Sequence, residues 1–367
     1  MPTADELINN DTAIALAVAL ESAAPTQPMA RVRAAGAALA PLPLRGRSDA
    51  LRDALLDDIP GDFTALATVV RAALAGSAPF DGWMIWPVSD AVAERAVASG
   101  TDADFDTGMA VLAELTPRLT AEFAIRTLLR HNLDRALATI MTWTANPDPA
   151  VRRLASEGTR AYLPWGARVP SLLTQPAATV PILEALYRDP DPVVRRSVAN
   201  HLNDLSREHA ALVVDIAGRW LESPDENTAT LVRHALRTLI KRGNPDALQL
   251  LGFRAATVNI DGPVLDLATI PFGGSVTFSA SIRNDGPEAA RLAIDYAVHH
   301  RKANGSLTPK VFKLTTRTLD PGEVLAVSKV HSLRPISTRR YYPGSHAIDV
   351  RVNGIVSAST EFEVLPD

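Results

Sequence analysis

Cysteine is absent from the 367-residue chain. Its absence removes disulfide frameworks, thiol catalysis, zinc ribbons and iron–sulfur clusters at once. Missing too is any apolar run near the ~18 residues needed to span a bilayer. Residues Ala13–Leu20 imitate the core of an export signal, but the segment before them holds Asp5, Glu6 and Asp11 and no Lys or Arg. A cytoplasmic protein is therefore expected. There is no glycine-rich phosphate loop, and His131, His201, His209 and His234 show no HExxH or other ligand spacing, so neither a nucleotide-dependent enzyme nor a metal site is expected. A basic excess is lacking as well. Thirty-seven Lys and Arg stand against 41 Asp and Glu, a net of −4, which taken alone argues against a dedicated nucleic-acid binder. What is present is 47% hydrophobic and 21% charged residues, a balance that excludes global disorder. The length exceeds what one core usually fills, so more than one compact unit is expected.

Composition breaks near Gly252–Ala256. Up to Phe253 the chain is rich in Ala, Leu and Arg and nets −6, with 24 basic against 30 acidic residues; from Arg254 onward it nets +2, with 13 against 11. Lys241 is the only lysine before Lys302. Beyond the break come alternating stretches, Gly274–Ile282, Val311–Thr315 and His346–Val352, separated by turn signals at Asn284–Pro287, Asn304-Gly305, Asp320–Gly322 and Pro343-Gly344. Period-two alternation with frequent turns predicts an antiparallel β-sandwich. The domains are thus expected as 1–253, helical, and 254–367, the sandwich.

The helical part repeats itself. Asn146-Pro-Asp-Pro-Ala-Val-Arg-Arg153 recurs as Asp189-Pro-Asp-Pro-Val-Val-Arg-Arg196, 43 residues later. That period suits a HEAT-like two-helix repeat, with Asp-Pro starting the second helix of each pair. A third copy without Asp-Pro fits Glu226–Lys241. Such repeats stack into a solenoid with a concave surface. The first ~50 residues read as helical but interrupted, at Pro41–Leu44 and at Arg45-Gly-Arg47.

Three acidic residues could do chemistry. In the repeat frame Glu157 corresponds to Asn200, and Asp204 lies four residues further on the same helix face, so Glu157 and Asp204 could meet in one groove. Glu122 begins an amphipathic run, Glu122–Leu129, in the preceding helix pair, and Trp165 sits in the turn Leu163-Pro-Trp-Gly166. Paired carboxylates beside an aromatic wall are the parts that cleave a glycosidic bond, one stabilising a developing oxocarbenium ion and another activating water. By spacing alone an acidic residue on a repeat helix is more often an Arg-paired structural charge. Arg152, Arg153, Arg195 and Arg196 recur in register, either as phosphate contacts or as an Asp/Arg ladder with Asp148 and Asp191.

Val151-Arg-Arg-Leu-Ala-Ser-Glu-Gly158, Leu163-Pro-Trp165, Val194-Arg-Arg-Ser-Val-Ala-Asn200, Leu202-Asn-Asp204, His234–Leu239 and Gly243-Asn-Pro245 together resemble AlkC, the HEAT-like branch of bacterial DNA alkylation-repair glycosylases. The match is dense from about Phe105 to Phe253, and the C-terminal sandwich is similar to the immunoglobulin-like domain that a subset of that family carries. The resemblance implies hydrolysis of the N-glycosidic bond of 3-methyladenine and 3-methylcytosine in double-stranded DNA. It implies Glu122, Glu157 and Asp204 as the active-site carboxylates, with Trp165 beside them and no snug base-flipping pocket. No cofactor and no metal are implied. A lone lysine outside the carboxylate motifs makes a Schiff-base lyase unexpected, so the enzyme is expected to be monofunctional and, since it must wrap DNA, a monomer.

Two departures bear on phosphate contacts. Relatives often carry an arginine just before Leu-Pro-Trp, where this chain has Ala161-Tyr162, and tend to have Asn where His201 stands; Arg160 and Arg168 remain nearby as substitutes. In the sandwich, Arg334, Arg339, Arg340, Tyr341 and Tyr342, with His331, fall in one turn-rich segment, His331–Pro343, and a second basic segment runs Arg301–Lys313. Arginines beside aromatics on a loop suit DNA backbone or minor-groove contact. A non-catalytic scaffold of helical repeats binding protein or nucleic acid is the alternative, and it needs none of the carboxylates.

Overall fold

In the computed structural model, residues 3–336 and 339–366 are described. Helices fill the chain to Leu250 and strands begin at Val258. The chain forms two compact units, one of Met1–His209 and Pro224–Ala235, the other of Ala210–Ser223 and Leu236–Asp367. The switch from helix to strand therefore sits inside the second unit.

In the first unit several helix starts are written in the sequence. Asp62, Thr101, Asn132, Asp148 and Asp191 each accept a backbone N–H of the first turn, satisfying donors that have no helical partner. The 43-residue repeat is a repeated hydrogen-bond device. Asp148 caps Pro149–Glu157 and Asp191 caps Pro192–Leu205, each with proline in the first turn. Asn146 Oδ1 accepts from Asp148 N at 2.9 Å, as Asp189 Oδ1 does from Asp191 N at 2.9 Å. Arg152 Nη1 donates to the carbonyls of Asn146 and Pro147, and Arg195 Nη1 to those of Asp189 and Pro190. The ladder weighed for Asp148 and Asp191 is corrected by this arrangement: both aspartates cap helices, and the ion pair is Arg152 with Asp189 at 2.6 Å.

Three details differ from the sequence reading. Arg45-Gly46-Arg47 lies inside the helix Leu44–Asp58, so the break ends at Pro43. Glu122 precedes its helix, which runs Ile125–His131. The third repeat copy divides at Leu236 into Thr228–Ala235 and Arg237–Lys241, and the division falls between the two compact units.

The second unit holds strands β1 (Val258–Leu265), β2 (Thr269–Ile270), β3 (Ser275–Asn284), β4 (Ala290–Arg301), β5 (Leu307–Leu319), β6 (Val324–Ser332), β7 (Gly344–Val352), β8 (Ile355–Val356) and β9 (Thr360–Val364). One sheet has the order β1-β3-β6 and the other β2-β9-β7-β4-β5, with β8 on β7. The pairings are antiparallel except β2 with β9, which is parallel. Alternation places Val276, Phe278, Ala280 and Ile282 of β3 inside, facing Ile294, Tyr296 and Val298 of β4 and Ile348 and Val350 of β7. Each large apolar side chain so buried contributes about 1.5–3 kcal/mol. The four turn signals fall between β3 and β4, β4 and β5, β5 and β6, and at the start of β7.

Candidate active site

The three carboxylates come together, and arginines join them. Glu122, in the turn before Ile125–His131, accepts through Oε2 from Thr120 Oγ1 at 3.0 Å and from Arg153 Nη1 at 2.8 Å. Glu157 ends its helix and is doubly held, Oε1 by Arg160 Nη1 at 2.5 Å and Oε2 by Ser197 Oγ at 2.6 Å. Asp204 accepts through Oδ2 from Arg160 Nε at 2.9 Å. Arg153 Nη2 also stands 3.9 Å from Glu157 Oε1. Charges thus alternate from Glu122 through Arg153, Glu157 and Arg160 to Asp204. All three carboxylates are buried, Asp204 at 2% exposure, and a buried charge persists only when paired in this way. Burial pulls the Arg160 guanidinium down, but the hydrogen bond to Asp204 and the charge of Glu157 outweigh it and hold it above its ordinary value. Glu122 Oε1 and Asp204 Oδ1 accept no hydrogen bond from a described residue, whereas both oxygens of Glu157 are occupied.

Arg126 underlies this chain. It projects from Ile125–His131 with no exposed surface and donates to the carbonyls of Gly158 at 3.0 Å, Arg160 at 2.9 Å and Ala167. It therefore ties both ends of the loop carrying Trp165. Burial, with the charges of Arg168 and Arg160, lowers its guanidinium to about 10. The loop lies close: a side chain at Gly158 would meet Ile125 Cγ2 at 2.8 Å, and one at Gly166 would meet Leu163 Cδ2 at 2.8 Å. Trp165 itself has φ 62°, the left-handed region that a bulky residue rarely enters, and the residue is 64% exposed. The loop holds it outward, without a hydrogen bond or ring contact to another described residue.

Of the other expected site residues, Arg160 is not open to a phosphate. It is buried and committed to Glu157 and Asp204, because its neighbours are carboxylates that cannot remain buried without it. Arg152 and Arg195 are bound to backbone carbonyls as described, and Arg153 to Glu122. Arg196 is exposed beside a groove lined by Asn227, Thr230, Leu231 and His234. His201 is internal: Nδ1 donates to Ser156 O at 2.9 Å and Nε2 accepts from Thr179 Oγ1 at 3.0 Å. Burial lowers it to about 4, so it is a neutral clasp on the Glu157 helix and not a phosphate contact.

In the sandwich, His331 is on β6 and buried, which removes it from the loop, and Tyr341 packs into the core. Arg339 Nη1 donates to His300 Nε2 at 2.7 Å. Arg334 and Arg340 are exposed, Arg340 lying over the Tyr342 ring at 5.4 Å. Ser337 and Thr338, within the expected DNA-contacting segment His331–Pro343, lie outside the described residues. Among the described residues no group of three His, Asp or Glu side chains is placed to hold a metal ion, and no helix is long and apolar enough to cross a membrane.

Arg126, Ser197 and Thr120 were assigned nothing by motif spacing. The one signal for Arg126 was an arginine set among Ile125, Leu128 and Leu129 on an apolar face, where a charge needs internal acceptors.

Comparison with known proteins places these features among relatives. Residues 116–239 match the family described as DNA alkylation repair enzyme, and residues 259–366 match the C-terminal Ig-like domain of uncharacterised protein YhaZ. The uncharacterized protein YhaZ of Bacillus subtilis (strain 168) is 35% identical over 263 residues, 71% of this chain and 73% of that protein. The chain is also similar to the solved structure of Pseudomonas fluorescens alkylpurine DNA glycosylase AlkC bound to DNA containing an abasic site analog, with a TM-score of 0.87, 34% identity and 100% of each chain covered.

Proposed function

Because the chain belongs to the AlkC-type DNA alkylation repair enzymes, we propose that it is a monofunctional DNA glycosylase. It hydrolyses the N-glycosidic bond of 3-methyladenine and 3-methylcytosine in double-stranded DNA. The observation that carries this reading is the pair of open carboxylate oxygens, Glu122 Oε1 and Asp204 Oδ1, in a chain whose other carboxylate oxygens are hydrogen-bonded.

An N3-methylated base already carries a positive charge. When the bond to C1′ breaks, the electron pair goes to the base, which departs neutral, and the charge passes to the sugar as an oxocarbenium ion. Fixed negative oxygens beside the sugar stabilise that charge without reorganising. One of the two open oxygens orients a water toward C1′ and takes its proton as the C1′–O bond forms. Glu157, held on both oxygens, serves as the strut that keeps Arg160 against Asp204. A leaving group already activated by methylation needs little further protonation, so a snug base pocket is not required. The exposed Trp165 ring then stands as a wall beside the nucleotide.

The test is release of 3-methyladenine from methylated duplex DNA by the full chain. Wild type is expected to release base, and Asp204→Asn and Glu122→Gln to lose release while retaining binding to abasic-site DNA. A wild-type chain that releases no methylated base, or an Asp204→Asn variant that releases it at the wild-type rate, defeats the reading.

A further inference from the structure

The 43-residue repeat carries two arginines in each copy, and three of the four are bound within the protein. Arg152 and Arg195 donate to backbone carbonyls just ahead of their own helices. Arg153 donates to Glu122 at 2.8 Å. The fourth, Arg196, makes no hydrogen bond or ion pair with another described residue. The repeat explains the difference. The offset that carries Arg153 to Arg196 carries Glu122 to Trp165, so the second copy has an indole where the first has a carboxylate.

Arg196 is exposed and lines a groove of about 270 Å³ between the helices Pro192–Leu205 and Thr228–Ala235. Buried Ala199 and Leu231 give it an apolar floor. Thr230, on the facing helix, is exposed, and its hydroxyl is likewise without a hydrogen-bond partner among the described residues. No Asp or Glu among those residues lines the groove, although the helical stretch 1–253 nets −6. A guanidinium keeps its charge and presents its donors as a planar fork, which a pair of anionic phosphate oxygens matches. A threonine hydroxyl is an ordinary second donor to such a group. The groove also lies near the carboxylates. Ser197, the next residue, donates to Glu157 Oε2 at 2.6 Å, and Asp204 follows Arg196 in the same helix. Their eight-residue separation is a rise of about 12 Å, or about three to four nucleotides of one DNA strand at ~3.4 Å each.

We propose that Arg196 and Thr230 bind one phosphodiester of DNA, within about four nucleotides of the sugar that meets Asp204. The placement rests on the glycosylase reading above. The site uses neither the carboxylates nor the arginines that hold them, and it separates Arg196 from its three counterparts in the repeat.

The experiment measures binding of the full chain to abasic-site duplex DNA across a salt series, with base release assayed on the same preparations. Arg196→Ala, an exposed change, should keep the melting temperature and weaken binding severalfold. It should flatten the plot of log K against log salt by about 0.9, the value of one lost phosphate contact. Thr230→Val should weaken binding less and keep the slope, because a neutral donor releases no counterion. Single uncharged methylphosphonate linkages, stepped along each strand, then locate the contact. One linkage that weakens wild-type binding, within about four nucleotides of the abasic site, should lose its effect in Arg196→Ala. A wild type that releases base while Arg196→Ala keeps the wild-type slope, or keeps every sensitive linkage, overturns the phosphate site and leaves the enzyme standing. A wild type that releases no base, with slope and one linkage lost in Arg196→Ala, overturns the enzyme reading and upholds the phosphate site.

Discussion

Arg160 Nε stands 2.9 Å from Asp204 Oδ2 across 44 residues of sequence, and the same guanidinium holds Glu157. One buried cation thus serves two buried anions from neighbouring helices. Removing it strands both.

Arg160→Ala is accordingly expected to destabilise the protein by about 3–5 kcal/mol, the usual result of breaking a buried pair from one side. Urea denaturation measures it. The substitution should leave the salt slope of DNA binding unchanged in whatever folded fraction remains. A flattened slope would return Arg160 to the phosphate contacts.

Arg126→Met removes the donor of three loop carbonyls, and each buried acceptor left unsatisfied costs about 1–3 kcal/mol. The loss is local to residues 158–167. Limited trypsin digestion, read by mass spectrometry, should show faster cleavage after Arg160 than in wild type. Equal rates would mean that the loop holds itself. By contrast Trp165→Ala, an exposed change, should alter stability by no more than about 0.5 kcal/mol while lowering base release.

Asp90 offers a pH test away from the carboxylate chain. It is buried, and burial pushes its carboxyl up to about 7 against the pull of Arg45 and Arg52, with Asp49 and Glu94 adding to the rise. The folded state therefore holds a proton that the unfolded state releases above about pH 4. Stability falls as pH climbs from about 4 to 7 and levels off above. Asp90→Asn cannot lose that proton, so its melting temperature should exceed wild type at pH 8. The gap should shrink toward pH 4.5, with a full span of at most about 4 kcal/mol. A gap independent of pH would show that Asp90 does not titrate in this range.

Arg339 and Arg340 are neighbours with different expected roles. Arg339 bonds the buried His300, which burial and then the Arg339 charge lower to about 3, keeping it a neutral acceptor. Arg339→Ala should cost stability, about 1–3 kcal/mol for the abandoned ring nitrogen. Arg340→Ala should leave the melting temperature alone and flatten the salt dependence of DNA binding by about 0.9. Reversed effects would exchange the two roles.

Much of the fold was legible because its causes are local. Asp148-Pro149 and Asp191-Pro192 announce helix starts, since a carboxylate cap and a proline without an N–H both satisfy a first turn using only adjacent residues. The strict alternation through β3 announces a strand with one buried face, because side-chain direction there repeats every two residues. Asp204 could be read on the helix face of Asn200, the repeat counterpart of Glu157, and so in one groove with Glu157, because helical geometry is equally regular.

What only the tertiary structure decided is where the arginines go. Arg152 and Arg153 are adjacent, yet one binds Asp189 and backbone carbonyls while the other binds Glu122. Arg160 fell among the expected phosphate contacts and turned out to join two carboxylates, and His331 belonged to a buried strand instead of a loop. A guanidinium at the end of a long side chain takes whichever acceptor packing brings within reach. For Arg160 that acceptor lies 44 residues away, and for Arg126 it lies across a loop. Periodicity fixes the direction of Cβ. The partner at the far end of the side chain depends on how helices stack, which no local pattern encodes.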